Sequence, residues 1–293
     1  MSASGKTYEV SLELQSDENG ESDLCRLAIE SLGISSENIT ELFKNNKHSL
    51  SVYFKRSDKV HALRRQIKAL GLRKVKIRTK TLIDQEWKTK WKEEFKPFWI
   101  TRETYIIPSW LKGKIPERKK RNVYIDSTVA FGTGLHATTQ FMAEYIESKS
   151  HALNRFLDLG TGTGILSIIA IKCGAKYVTA LDFSSQAIVT AKYNFQTNKV
   201  KPDQVVCADV GKWTQKKKYD FVAANLITDE LLNNQKRIVQ YVQKAGYLAV
   251  SGISLNNYPR FRREFNETQL RCLRIRKGEG WAAILYKKIP KNK

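Results

Sequence analysis

Cysteine is scarce in this chain, with four in 293 residues, and no two of them form a C-x-x-C pair. Cys25, Cys173, Cys207 and Cys272 lie far apart, which argues against a disulfide scaffold or a zinc knuckle and leaves reduced, mostly buried thiols as the expectation. Long apolar runs are also lacking. Ile165–Ile171 is among the longest, far short of the roughly 20 residues that span a bilayer. The opening Met1-Ser-Ala-Ser-Gly5 has no basic flank and no apolar segment, so it reads against a cleaved signal and for a cytoplasmic protein. No internal repeat or low-complexity tract is present. His48, His61 and His151 stand without clustered ligands, so no metal site is expected. Acidic residues are the last shortage, 29 against 51 basic ones.

What remains is an ordinary globular composition, 41% hydrophobic and 27% charged, in a chain long enough for one large or two modest domains. The net charge of +22 is spread unevenly. Residues 1–43 hold two basic and nine acidic side chains, net −7. Residues 44–121 hold 24 and seven, net +17, and residues 122–293 hold 25 and 13, net +12. A basic block of this size favours encounters with polyanions such as RNA or a ribosome surface. No arginine-rich or aromatic nucleic-acid motif accompanies it.

Residues 1–82 read as β-α-β-β-α-β. Tyr8, Val10, Leu12 and Leu14 alternate with polar residues as in a strand. Ser22 and Asp58 are candidate caps for two helices, which Gly33 and Gly71 would end. Ile39–Phe43, Leu50–Phe54 and Val75–Thr79 supply the other strands. The order is ferredoxin-like, a small α+β domain. Residues 83–121 form an aromatic helix and a basic linker. Trp87, Trp91 and Phe95 fall on one helical face, read as packing or domain docking rather than base stacking. Pro97–Trp110 reads as extended aromatic chain and Leu111–Arg121 as an exposed linker.

From residue 122 to 293 short apolar strands alternate with helices, the pattern of a parallel sheet covered on both faces. Strands fall at Phe156–Leu159, Tyr177–Leu181, Val205–Ala208, Phe221–Ala224 and Tyr247–Ser251. One helix is expected over 229–242, and a hairpin of two strands closes the chain. The segment Asp158-Leu-Gly160-Thr-Gly162-Thr-Gly164 sits at a strand end and opens a helix, where glycines let a ligand approach the backbone. A second strand ends at Asp182, placed to accept the two hydroxyls of a ribose. The acidic residue before the glycines departs from nicotinamide-dinucleotide enzymes, and no lysine-serine ending makes a phosphate-binding P-loop.

An acidic residue followed by G-x-G-x-G resembles the class I S-adenosylmethionine-dependent methyltransferases. Ala130-Phe-Gly-Thr-Gly-Leu-His-Ala-Thr-Thr139, Ala224-Asn-Leu-Ile-Thr228 and Leu248-Ala-Val-Ser-Gly252 narrow the resemblance to the PrmA family, which methylates large-subunit ribosomal protein eleven. The likeness covers most of residues 84–286. It implies an α/β fold, a Rossmann-like class I methyltransferase domain preceded by the ferredoxin-like domain, which would recognise the ribosomal protein. It implies S-adenosyl-L-methionine as cofactor, with Phe131, Gly132, Thr139, Asp158, Gly160, Gly162, Gly164, Asp182 and Asn225 around it. Two departures stand out: Asp126-Ser-Thr-Val replaces the family's Asp-Pro-Gly, and Leu135 and Ala137 replace the usual Thr and Pro around His136.

A lysine acceptor, with its free pKa of about 10.4, loses its proton more readily in an apolar pocket beside a positive sulfonium. Asn225 is then expected to orient the amine, together with the backbone carbonyl of Leu226 or Ile227. His136 reads as a capping or packing residue, since a lone histidine without a nucleophile is no triad. The rival is a nucleic-acid methyltransferase, whose Asn/Asp-Pro-Pro-aromatic motif stacks a flipped base. Asn225-Leu-Ile-Thr228 has neither the prolines nor the aromatic. A second rival is a non-catalytic binding protein on the same scaffold. The expected partners are a ribosomal protein, free or on the ribosome, with a ribosomal RNA contact through residues 44–121 and no membrane.

Overall fold

Alternation makes β1 (Lys6–Leu14) a one-sided strand, with Val10, Leu12 and Leu14 all buried. The computed structural model describes residues 6–14, 21–34, 39–44, 47–72, 75–83, 95–126 and 134–289. The chain divides into two units, 1–95 and 96–293. In the first, β1 lies between β3 (Lys47–Phe54) and β4 (Lys76–Ile83), and β2 (Thr40–Lys44) borders β3. All pairings are antiparallel, with Val10 opposite both Val52 and Thr79. Helices α1 (Glu21–Glu30) and α2 (Ser57–Ala69) bring Cys25, Ala28, Ile29, Val60, Leu63 and Ile67 to the core that Val10, Leu12 and Leu14 enter. Both helices therefore cover one face, in the element order read from the sequence. Gly33 and Gly71 follow the helices at positive φ, 78° and 69°, as stops should. The starts differ by a residue or two. Ser22 lies inside α1, and Asp58 lies inside α2, where it pairs with Arg56 at 2.8 Å.

The second unit begins earlier than the sequence partition at 121. A small sheet of β5 (Phe98–Trp99), β6 (Thr104–Pro108) and β7 (Arg121–Ile125) buries Ile106, Ile107, Val123 and Ile125. Glu147 anchors it to α3 (Ala137–Ser148). Its carboxylate accepts from Thr101 (2.8 Å) and Thr104 (2.5 Å) and pairs with Arg121 (2.9 Å). Residues 97–110 are aromatic but only partly extended: Phe98–Trp99 and Thr104–Pro108 are strands, 100–103 bend and Ser109–Leu111 is a 3-10 turn, all folded onto this unit, whereas 112–120 are mostly exposed, with Ile115 half-buried. Trp87 and Trp91 lie outside the described residues.

The main sheet has seven strands: β8 (Arg155–Leu159), β9 (Tyr177–Asp182), β10 (Gln204–Cys207), β11 (Tyr219–Asn225), β12 (Val242–Ser254), β13 (Leu270–Gly278) and β14 (Trp281–Lys288). Their order is β10-β9-β8-β11-β12-β14-β13. Pairing is parallel from β10 to β12 and antiparallel at β14 and β13. Alternate residues feed two cores. Phe156, Val178, Ala180, Phe221 and Ala223 pack under α3, α4 (Ile165–Lys172) and α5 (Ser185–Thr197). Leu157, Leu181, Val222, Ala224 and Val250 pack under α6 (Thr228–Asn233), α7 (Gln235–Tyr241) and α8 (Tyr258–Glu264). The single helix expected over 229–242 is two, broken at Asn234, which stands at φ −107° and ψ 8°. Among the described residues no helix is long and apolar enough to cross a membrane.

Candidate active site

Strand β8 pairs with β9 on one side and β11 on the other, so the chain order reverses at its carboxyl end, the place where open α/β sheets bind ligands. The glycine loop leaves from there. Gly160, Gly162 and Gly164 all have positive φ, 74°, 54° and 81°. A Cβ at Gly160 would stand 2.5 Å from Cδ2 of Leu226, and one at Gly164 would stand 2.7 Å from the Phe195 ring. Glycine is needed at both for backbone conformation and for close packing.

Asp158, on β8, is fully buried. Its Oδ2 accepts from the Thr161 hydroxyl (2.8 Å), the Ser167 hydroxyl (2.7 Å) and the Ser167 N–H (3.1 Å). Burial outweighs these bonds and pushes the carboxyl up to about 6. Its Oδ1 is buried without a hydrogen-bond partner, an acceptor that a bound polar group beside the loop would satisfy. Asp182 ends β9 and is 7% exposed. The Gly162 N–H donates to its Oδ2 and the Ser184 N–H to its Oδ1, both at 2.9 Å. These bonds fix the carboxylate over the loop while leaving each oxygen a further lone pair.

Two neighbours escaped the sequence reading. Phe183, next after Asp182, is 58% exposed, unusual for a ring at the end of a buried strand; its signal was only its adjacency to the acid. Asp209 follows β10, where the Gly211 N–H donates to its carboxylate at 2.6 Å.

The residues before α3 lie against the same loop. A Cβ at Gly134 would meet Ile165 Cδ1, in the first residue of α4, at 2.8 Å. Thr138 and Thr139 are buried in the first turn of α3. His136 caps that helix by its backbone, its carbonyl accepting from the Thr139 and Gln140 N–H groups. Its ring packs edge-on to Trp281 with centroids 4.9 Å apart, and Nδ1 lies 2.7 Å from the Thr138 hydroxyl. Phe131 and Gly132, expected near the cofactor, and Ser127–Val129 lie outside the described residues.

Asn225 ends β11 opposite Ser251 and is half-buried. The Leu226 N–H donates to the Ser251 carbonyl at 3.2 Å. The Leu226 carbonyl lies so close over Gly252 (φ 86°) that a Cβ there would fall 2.1 Å from its oxygen. Gly160, Asp182, Asn225 and Gly252 thus mark the carboxyl ends of four neighbouring strands. The loop, an acid fixed beside it and an unsatisfied buried acceptor fit a nucleoside-bearing cofactor. Among the described residues no group of three or more His, Cys, Asp or Glu side chains could hold a metal ion.

A family model described as ribosomal protein L11 methyltransferase (PrmA) matches residues 21–289. Proteins named ribosomal protein L11 methyltransferase are similar to this chain in several bacteria. The Dictyoglomus thermophilum protein is 34% identical over 205 residues, covering 70% of this chain and 66% of that protein. The Lactobacillus johnsonii protein is 30% identical over 252 residues, covering 82% and 79%. The match with the Ruminiclostridium cellulolyticum protein, 35% identical, spans 54% of that protein's length. A crystal structure titled ribosomal protein L11 methylase, from Lactobacillus delbrueckii subsp. bulgaricus, superposes with a TM-score of 0.60 at 23% identity. It covers 67% of this chain and 100% of that one, a likeness of fold.

Proposed function

The chain belongs to the ribosomal protein L11 methyltransferase (PrmA) family, and from that membership we propose that it methylates amines of ribosomal protein L11, on lysine side chains and/or the N-terminus, using S-adenosyl-L-methionine. The observation that carries the reading is the convergence of the glycine loop, Asp182 and the Asn225-Leu226 turn at the sheet's switch point. Bound S-adenosylmethionine supplies a methyl group on a positively charged sulfonium. Asp182 would hold its ribose, the Gly160–Gly164 loop and Asp158 its adjoining atoms, and Thr139 its methionine end, with Phe131 and Gly132 also around the cofactor.

The chain's own task is then to present a neutral, aligned amine and exclude water. An ammonium entering a largely apolar pocket is disfavoured relative to the free amine. Asn225 Oδ1 and the Leu226 carbonyl accept hydrogen bonds from the amine N–H groups and aim its lone pair, so no strong general base is needed. The first unit would recognise the protein substrate, and the basic residues 44–121 would touch ribosomal RNA when the substrate sits on the ribosome. The setting is the cytoplasm.

The test is incubation with methyl-labelled S-adenosylmethionine and whole ribosomal subunits, followed by separation of RNA from protein. Label on L11 is the expected result. Label on RNA would make this a nucleic-acid methyltransferase and Asn225 a base-binding residue. Cofactor binding in calorimetry without label on any component would reject the ribosomal substrate.

A further inference from the structure

Around the Asn225-Leu226 turn, the structure leaves large apolar side chains in solvent. Leu135 is 50% exposed, Ile227 60% and Leu255 38%. Single exposed apolar residues are ordinary on any protein, but these three stand on segments joined to one another. Ile227 follows Leu226, whose N–H bonds to Ser251 and whose carbonyl lies over Gly252. Three residues on, Ser254 is opposite Trp281 in the β12–β14 register, and the Leu255 N–H donates to the Gly280 carbonyl at 2.8 Å. The Trp281 ring packs against His136 at 4.9 Å, and His136 follows Leu135. The four segments 134–139, 225–228, 251–255 and 280–283 therefore border the mouth of the site in succession.

These segments contain no Lys, Arg, Asp or Glu, and the exposed charges that directly flank them, Asp229 after Thr228 and Glu279 before Gly280, are acidic, in a chain that carries +22 overall. A phosphate backbone would be met by cations; this mouth offers methylene and aromatic surface instead. Resting on the methyltransferase reading, we propose that Leu135, Ile227, Leu255 and Trp281 form an acceptor rim. It seats a segment of the protein substrate with apolar side chains next to the target amine. Burial of those side chains contributes binding energy remote from the reacting atoms and holds the amine in line. Leu135, half exposed just before α3 and next to the His136–Trp281 ring pair, is a specificity-determining residue of this rim.

The test measures methylation of purified L11 by the full-length chain and by Leu135→Asp, Leu255→Asp and Leu135→Met, with the S-adenosylmethionine Kd read by calorimetry. The exposure of both positions leaves the fold intact, checked by an unchanged Tm. Each Asp variant is expected to lower kcat/KM for L11 at least tenfold, chiefly through KM, with the cofactor Kd within twofold of wild type and Leu135→Met near wild type. Asp variants whose KM stays within twofold of wild type would overturn the rim while leaving the methyltransferase reading standing. A wild-type chain that binds cofactor but labels RNA, or no L11, would overturn the parent reading and the rim with it.

Discussion

At Asp158, burial and hydrogen bonding pull the carboxyl in opposite directions, and burial wins, raising it from 3.8 to about 6. A folded-state pKa above the unfolded one means that the native chain binds the proton more tightly. The contribution of Asp158 to stability is therefore greatest below about pH 4, falls as pH rises from about 4 to about 6, and is level beyond. That rise corresponds to about 3 kcal/mol. Asp158→Asn removes that titration while its amide oxygen keeps the donors from Thr161 and Ser167. In urea unfolding, the change in stability from pH 4.5 to pH 7 should be more favourable in the variant than in wild type by roughly 1–3 kcal/mol; an identical change in both would remove the assignment. Asn225 makes a different prediction. Asn225→Ala deletes the acceptor proposed to aim the amine, so kcat should fall roughly tenfold or more, the scale of one oriented hydrogen bond. Full turnover at saturating substrates would withdraw that role. Asp158, Asp182 and the glycines were legible because strand-end acids and positive-φ glycines sit at fixed distances in sequence. Phe183 and the orphaned Asp158 Oδ1 were not, because exposure and missing partners are set by the neighbours that the fold assembles.

Helix α5 shows how an element can place a site without touching substrate. Asn194 and the C-cap residue Asn198, four residues apart, act as backbone partners for the strand end that leads toward the Ala130–Thr139 segment. Asn194 Oδ1 accepts from the Asp126 N–H (2.8 Å), and its Nδ2 donates to the carbonyls of Asp126 and Thr163 (both 2.9 Å). Asn198 does the same for Tyr124, accepting its N–H at 2.8 Å and donating to its carbonyl at 2.6 Å. Asn194 thus ties Asp126, the residue after β7, to Thr163 in the glycine loop. Asn194→Ala would remove one hydrogen bond from the Asp126 N–H and one each from the carbonyls of Asp126 and Thr163. Unfolding experiments should show a loss of about 2–4 kcal/mol, against a few tenths for an exposed substitution on α5. A second element-scale prediction contrasts two glycines of positive φ. Gly174 (φ 103°) has open space around it, whereas Gly252 faces the Leu226 carbonyl. Gly174→Ala should cost about 1 kcal/mol and Gly252→Ala at least twice that, since backbone must move; equal costs would show that the turn yields freely. Element order was readable from period alone. The β5-β6-β7 sheet and the break at Asn234 were not, because both depend on partners distant in the chain.

At the scale of the whole molecule, the proposed encounter with a ribosome rests on charge. In the proposed function the +17 carried by residues 44–121 suits long-range attraction to phosphate, and the apolar mouth of the site in the second unit suits a short-range fit to a protein segment. The Leu111–Arg121 stretch presents Lys114 and Lys119, both exposed, beside Lys120, which pairs with Glu103 at 2.8 Å. If the basic block docks on ribosomal RNA, each phosphate contact releases counterions, and log Kobs falls with log salt by roughly 0.7–0.9 per contact. Binding to whole subunits should then weaken steeply between 50 and 200 mM salt, by about a thousandfold if as many as six contacts form. Lys114→Glu with Lys119→Glu should shallow that slope by roughly two contacts at unchanged Tm. Binding that is insensitive to salt, or a double variant with the wild-type slope, would leave the basic block a role in solubility alone.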